Sequence, residues 1–210
     1  MIRQILLEAA AEQAVEAVDR PRTAARSLTA RRWADDLRLP YNYPMLSFRP
    51  EQPPDIAAIR AIHAGSFPTD AEARLVDLLR EAGALSVSLV AEVNGVAVGH
   101  VAFSPVQVAS GCVGAGLAPV AVLPSFRRQG IAASLIRAGL AECHSAGFCW
   151  AAVLGRPAYY ARFGFQAAAN FGLTDEYGGG NAFQVVALVP GGIPSNEGLV
   201  RYALQFASLS

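Results

Sequence analysis

From Leu46 the hydrophobic pattern is regular enough to place elements. Leu46-Ser47-Phe48-Arg49 alternates apolar and polar side chains with the period of a strand. Pro50, Pro53 and Pro54 mark a turn, and Asp55 is positioned to cap a helix carrying Ile56, Ile59 and Ile62 on one side. Thr69 followed three residues later by Glu72 reads as a capping box, with Leu75, Leu78 and Leu79 as the apolar stripe behind it and Gly83 as the stop. Two β-rich runs, Leu85 to Val93 and Val96 to Val106, meet at Asn94-Gly95, the dipeptide that a type I′ hairpin turn favours because both central residues need positive φ. Gly116 to Leu123 is a further apolar run, Ile131 to Ser145 a helix ending near Gly147, and Phe148 to Leu154 a strand. A short helix surrounds Tyr160. Phe183 to Val189 and Leu199 to Phe206 read as two last strands flanking the turn Pro190-Gly191-Gly192. The order of elements predicts an α+β fold.

Residues 1–44 differ from this pattern. They are rich in Ala and Arg, and Ile5, Leu6, Ala9, Gln13 and Glu16 make at best a weakly amphipathic helix. We assign 1–44 to an N-terminal extension and 45–210 to one domain. The extension could dock on that domain, pair with a second copy in a homodimer, or precede a native start at Met45.

Composition narrows the function. Of 210 residues, 53% are hydrophobic and 16% charged, which suits a packed core and excludes global disorder. Seventeen Arg balance seventeen acidic residues, with no Lys, so no positive field gathers nucleic acid. Arg, Glu, Asn or Pro interrupts every apolar stretch short of a membrane span, and Glu8, Glu12 and Glu16 break any export-signal core. The three cysteines have neither CxxC spacing nor a His cluster, so no metal site is expected, and a reducing, cytoplasmic compartment is.

The chemistry concentrates in Val120 to Leu135, where a strand runs straight into a helix. The turn between them, with Gly130 and Ala132, carries little side-chain bulk, so successive backbone N–H groups and the positive end of the helix can converge on one anion such as a pyrophosphate. The turn lacks the Gly-Lys-Ser/Thr of a Walker loop. Gly111-x-x-Gly114-x-Gly116 precedes a strand and not a helix, which excludes a dinucleotide fingerprint.

Arg127-x-x-Gly130-x-Ala132, preceded by Val120-Ala121-Val122-Leu123-Pro124, resembles the acetyl-CoA motif of the GNAT superfamily of N-acetyltransferases. Tyr160-Ala161-Arg162-Phe163-Gly164-Phe165 resembles that superfamily's Tyr-x-x-x-Gly-Phe, and Gly99 to Pro105 with Leu154 to Phe165 resembles its YhbS-type branch. The likeness runs from about Ser47 to Phe206. It implies a mixed, mostly antiparallel central sheet flanked by helices, and direct transfer of an acetyl group from acetyl-CoA, the co-substrate, to an acceptor amine. It further implies that the backbone of Val120, Ala121 and Val122 pairs with the pantetheine arm. The amides of Arg128, Gln129, Gly130, Ile131, Ala132 and Ala133 then hold the pyrophosphate, and the side chain of Arg127 or Arg128 adds charge.

By the same resemblance Tyr160 is the general acid for the departing thiolate, with Tyr159 as the fallback; a phenol with a free pKa of about 10 matches a thiol well. The sequence departs from the family in two places. Val153 to Pro157 offers no Asn toward the pantetheine arm, and Gly116 to Val120 offers no Glu as general base. His100 ranks first as base, then Glu92 and His63. Two rival readings stand beside this one: a non-catalytic acyl-CoA-binding module, and transfer of a longer acyl chain.

Overall fold

The computed structural model describes residues 45–110, 113–196 and 198–209. The segment 1–44, read above as an extension, lies outside the described residues, as does Cys112. Four antiparallel strands form the first half of the main sheet: β1 (Leu46–Pro50), β2 (Val87–Val93), β3 (Val96–Gln107) and β4 (Val113–Val122). β5 (Trp150–Leu154) joins β4 in parallel, β8 (Phe183–Ala187) runs antiparallel to β5, and the two-residue β6 (Gln166–Ala167) closes the order β1-β2-β3-β4-β5-β8-β6. A separate parallel pair, β7 (Leu173–Asp175) with β9 (Gly198–Val200), completes the strands among the described residues. The mixed, mostly antiparallel α+β architecture is the one the sequence implied.

Helices cover both faces. α1 (Ile56–Ala64) and α2 (Ala71–Glu81) lie on one, and α3 (Ile131–Ser145) on the other, with the single turn α4 (Pro157–Tyr160) following β5. Strand alternation sorts the core accordingly. Leu89, Val101, Phe103 and Leu117 face Ile131, Leu135 and Ile136 of α3, whereas Ala102, Val106 and Ala118 face Leu75 and Leu79 of α2. α3 approaches so closely that a Cβ on Gly139 would stand 2.3 Å from the buried Phe103 ring, which explains a glycine inside a helix.

Several expectations need correction. The Asn94-Gly95 turn forms with φ of 52° and 78° as expected, but the Thr69/Glu72 capping box does not form. Asp70 occupies the N-cap, no side-chain cap bond is made, and Glu72 turns inward to 2% exposure. Asp55 is an N-cap whose carboxylate instead holds Arg49, at 2.6 Å, and the amide of Gln52. Leu199 to Phe206 is not one strand: β9 ends at Val200, Arg201 bridges to Gln107, and a 3-10 turn covers Leu204–Leu209. Tyr202 and Phe206 pull this segment into the core under α2, so burial outweighs β propensity.

The feature that positions the site is a split. β4 pairs with β5 only at Ala115↔Ala151 and Gly116↔Ala152, while β4 continues to Val122 along β3. Between Val101↔Val120 and Phe103↔Leu117 one extra residue bulges from β4, around Pro119, bending the strand away from β5. No helix among the described residues is long and apolar enough to cross a membrane.

Candidate active site

Past Gly116, the edge of β4 that faces β5 is left without a ladder partner. The chain then turns through Pro124–Phe126, a 3-10 segment, and enters α3. Two residues of this turn sit in the left-handed region, Arg128 at φ 62° and Gly130 at φ 79°. For Arg128 that conformation costs about 1 kcal/mol or more; alternation of this kind points consecutive amides to one side. Gly130 is the N-cap of α3, so no side chain bonds to the first-turn amides of Ile131, Ala132 and Ala133, which have no intrahelical acceptor. A Cβ built on Gly130 meets nothing within 4 Å. The amides therefore open onto a cleft lined by Val122, Phe126, Arg127, Arg128, Gly130, Ile131, Ala132, Ala133, Tyr159 and Arg162. Most of the nominated cofactor residues share this cleft; Val120 and Ala121 lie deeper along β4, and Gln129 sits exposed on the turn. A cradle of unencumbered amides beside an unpaired strand edge fits a pyrophosphate with an amide-bearing arm.

Arg127 takes a different part from the one expected of its side chain. Its Nε donates to the Val122 carbonyl at 3.1 Å and its Nη2 to the Ser66 carbonyl at 3.2 Å, so the guanidinium braces the turn against the α1–α2 connection. Ser66 completes the brace by donating its hydroxyl to the same Val122 carbonyl. Arg162, which the sequence reading did not nominate, also lines the cleft, where it stacks 4.7 Å over the Tyr159 ring. It occupies a variable position of Tyr-x-x-x-Gly-Phe, which hides it in the motif.

The two tyrosines differ as their helical spacing requires. Tyr159 lines the cleft, whereas Tyr160 lies beneath it at 3% exposure, edge-on to Tyr159 at 5.1 Å and to Phe165 at 5.7 Å. A side chain on Gly155 would collide with the Tyr160 ring, whose nearest atom is 2.2 Å from the Cβ position. Burial, reinforced by the nearby Tyr159, raises the Tyr160 pKa well above that of a free phenol.

The base candidates are placed on the opposite face. His100 and His63 are both sealed at 0% exposure, with His63 Nε2 and His100 Nδ1 2.8 Å apart. The hydrogen-bond roles follow from the far end: Ser88 donates to the Glu51 carboxylate, so His100 Nε2 donates to Ser88 Oγ at 2.8 Å. A neutral His100 then accepts at Nδ1 from His63, leaving His63 Nδ1 without a partner among the described residues. Burial lowers the pKa of both histidines, only partly opposed at His100 by Glu51. Burial alone would raise Glu51, but the nearby His100 ring at 3.6 Å and the bonds from Arg80 and Ser88 outweigh it and bring it to about 2. Glu92 is held by Arg49 at 2.6 Å. None of the three candidates opens onto the cleft, and His100 in particular has both ring nitrogens engaged, so it does not reach a substrate directly. Among the described residues no group of His, Cys, Asp and Glu could hold a metal ion.

Comparison with known proteins agrees with this geometry. The profile of the Acetyltransferase (GNAT) family matches residues 56–165. The uncharacterized N-acetyltransferase YhbS of Escherichia coli (strain K12) is 42% identical over 161 residues, covering 75% of this chain and 96% of that protein. The crystal structure of Escherichia coli YhbS in complex with CoA superposes with a TM-score of 0.75 at 40% identity, over 79% of this chain and 93% of that one. A GNAT family acetyltransferase from Brucella melitensis, in complex with acetyl-CoA, superposes at 0.65 with 37% identity, over 78% of this chain and 99% of that one. With the split sheet, the glycine-capped helix and these relatives in agreement, the chain belongs to the GNAT family of acetyltransferases and is an acyltransferase.

Proposed function

We propose that the enzyme transfers an acetyl group directly from acetyl-CoA to an acceptor amine. The observation that carries this reading is the combination, in one cleft, of the unpaired β4 edge with the uncapped first turn of α3. The backbone of Val120 to Val122 would pair with the pantetheine arm as a missing strand does. The amides from Arg128 to Ala133 would hold the pyrophosphate, with Arg162 beside them as a side-chain cation. The relatives crystallised with CoA or acetyl-CoA support the same assignment.

Acetyl-CoA supplies the thioester. As the acceptor nitrogen forms its C–N bond, the C–S bond breaks and the electron pair stays on sulfur. Tyr160 donates its phenolic proton to that thiolate. Its raised pKa keeps it protonated through neutral pH, which is the state a donor needs. An acceptor that arrives as an ammonium loses two protons in all; one restores Tyr160 and the other leaves to solvent.

Thermal unfolding with acetyl-CoA tests the cofactor assignment. At a hundred times its dissociation constant the ligand should stabilise the fold by about 2.7 kcal/mol. In Gly130→Glu, whose side chain enters the open space beside the amides, that shift should vanish. Equal stabilisation of both proteins would remove the pyrophosphate site from this turn.

A further inference from the structure

Gln184 is a polar residue in a core position. It is 2% exposed on β8, between the buried Phe183 and Val185. Strand alternation puts Phe183 and Val185 on the α2 side of the sheet, in one cluster with Leu75 and Trp150, and turns Gln184 to the α3 side with its register partner Val153. Tyr159, Tyr160 and Phe165 pack in the same cluster as Val153. An apolar side chain would fill such a place, and a buried amide is tolerated there only where it finds hydrogen-bond partners.

Its partner is a carbonyl that the sheet leaves over. The β5–β8 ladder ends at Leu154↔Phe183. One residue further, Gly155 is still buried, and its amide donates to the Ala182 carbonyl at 2.9 Å. The Gly155 carbonyl takes its bond from a side chain instead, Gln184 Nε2 at 3.0 Å, and the same Nε2 stands 3.5 Å from the Ala182 carbonyl. One side-chain amide therefore closes the ladder where β5 stops and the chain leaves for α4.

The peptide held in this way carries Tyr160. Its nitrogen belongs to Arg156, the N-cap of α4, whose own carbonyl accepts from the amides of Tyr159 at 3.0 Å and Tyr160 at 3.2 Å. The Tyr160 ring also rests on Gly155, since a Cβ there would stand 2.2, 2.8 and 3.2 Å from three of the ring atoms. Both the start of the turn that bears Tyr160 and the surface beneath its ring are set by this one peptide. We propose that Gln184 is a positioning residue for acetyl transfer, which by holding the Gly155 carbonyl fixes the Tyr160 ring where its phenol protonates the departing thiolate. The assignment rests on the acid role proposed for Tyr160. Gln184 acts only through Gly155 and Arg156, and misplacing a reacting group by about 1 Å can cost 10²-fold in rate.

Gln184→Met keeps the length of the side chain and removes the donor. The readout is release of CoA thiol from acetyl-CoA, with the primary amine that is turned over fastest as acceptor. In this variant kcat should fall about tenfold or more, while KM for acetyl-CoA stays within about twofold, because the amides at Arg128 to Ala133 belong to a different turn. The double substitution separates positioning from general support of the fold. In a Tyr160→Phe protein, Gln184→Met should change kcat by less than about twofold, since the group it positions is already gone. Factors that multiply, or an undiminished kcat in Gln184→Met alone, overturn the proposal. Full turnover in Tyr160→Phe alone is a different result, which removes the acid role and this assignment with it. If acetyl-CoA does not raise the unfolding temperature of Gln184→Met, Gln184→Glu is read in its place. Its carboxyl has the same shape and donates only while protonated, so its turnover relative to the native enzyme should fall as pH rises from 6 to 9. A constant ratio overturns the proposal.

Discussion

The two faces of the sheet carry opposite kinds of machinery. On the α3 side the cleft is built of backbone: uncapped amides, a strand edge without a partner and two left-handed residues four positions or fewer from the helix. On the α1–α2 side the polar groups are side chains gathered from distant positions, with His63 and His100 37 residues apart and Ser88 bonding to Glu51 across another 37. A cofactor common to a whole family can be held by backbone geometry that tolerates side-chain change. Recognition of a particular acceptor needs side chains.

The largest expected effect tests the α3 side. Tyr160→Phe removes the phenolic hydroxyl and leaves the ring packed on Gly155 and Phe165. Thiol release with an amine that the enzyme turns over should fall about 10²-fold or more, with unfolding temperature nearly unchanged. If turnover persists within a few fold, the thiolate leaves without Tyr160 and the cleft-lining Tyr159 becomes the group to substitute.

The same contrast explains how far the sequence could be read. The turn at Arg127 to Ala132 and the hairpin at Asn94-Gly95 were legible because Gly130, Asn94 and Gly95 sit at positive φ, and such local demands leave a local signature, although Arg128 adopts the same region without one. The nomination of Tyr160 rests on a motif of equally short range. The inward turn of Glu72 was not: the spacing from Thr69 fits a capping box, and only the packing of α2 on β4 and the C-terminal segment decides otherwise. The pairing of His63 with His100 depends on where α1 crosses β3, which no periodicity reports. The C-terminal strand was misread for the same reason, since a short, mostly apolar run with Val200 and Tyr202 fits a strand or a buried irregular segment equally well.

A pH titration probes the α1–α2 side. Both histidines have pKa values lowered by burial, whereas in the unfolded chain each returns to about 6.5. Between those values the unfolded state binds more protons, so stability rises with pH there and is lost as pH falls below about 6.5. Replacing His63 and His100 together by Phe and Gln, which cannot titrate, should flatten unfolding temperature between pH 7.5 and 5.5. Glu51 adds a separate loss at lower pH, as acid titrates it from 4.5 down toward about 2. A native protein equally stable at pH 5.5 and 7.5 would mean that the histidine chain is open to water and not sealed.

Arg127 joins the two regions, and its substitution separates bracing from ligand binding. The guanidinium spans the Val122 and Ser66 carbonyls with two different nitrogens, a geometry that the single ammonium of lysine cannot reproduce. Arg127→Lys keeps the charge, so a residue acting on phosphate as a point cation would retain most of its effect on acetyl-CoA affinity. A brace would instead lose about 1 kcal/mol for one hydrogen bond, seen as a drop of a few degrees in the unfolding temperature of the ligand-free protein. The geometry favours the second outcome. An unchanged ligand-free unfolding temperature would overturn the brace, and the coupling between the two faces would then pass through Ser66 and Val122 alone.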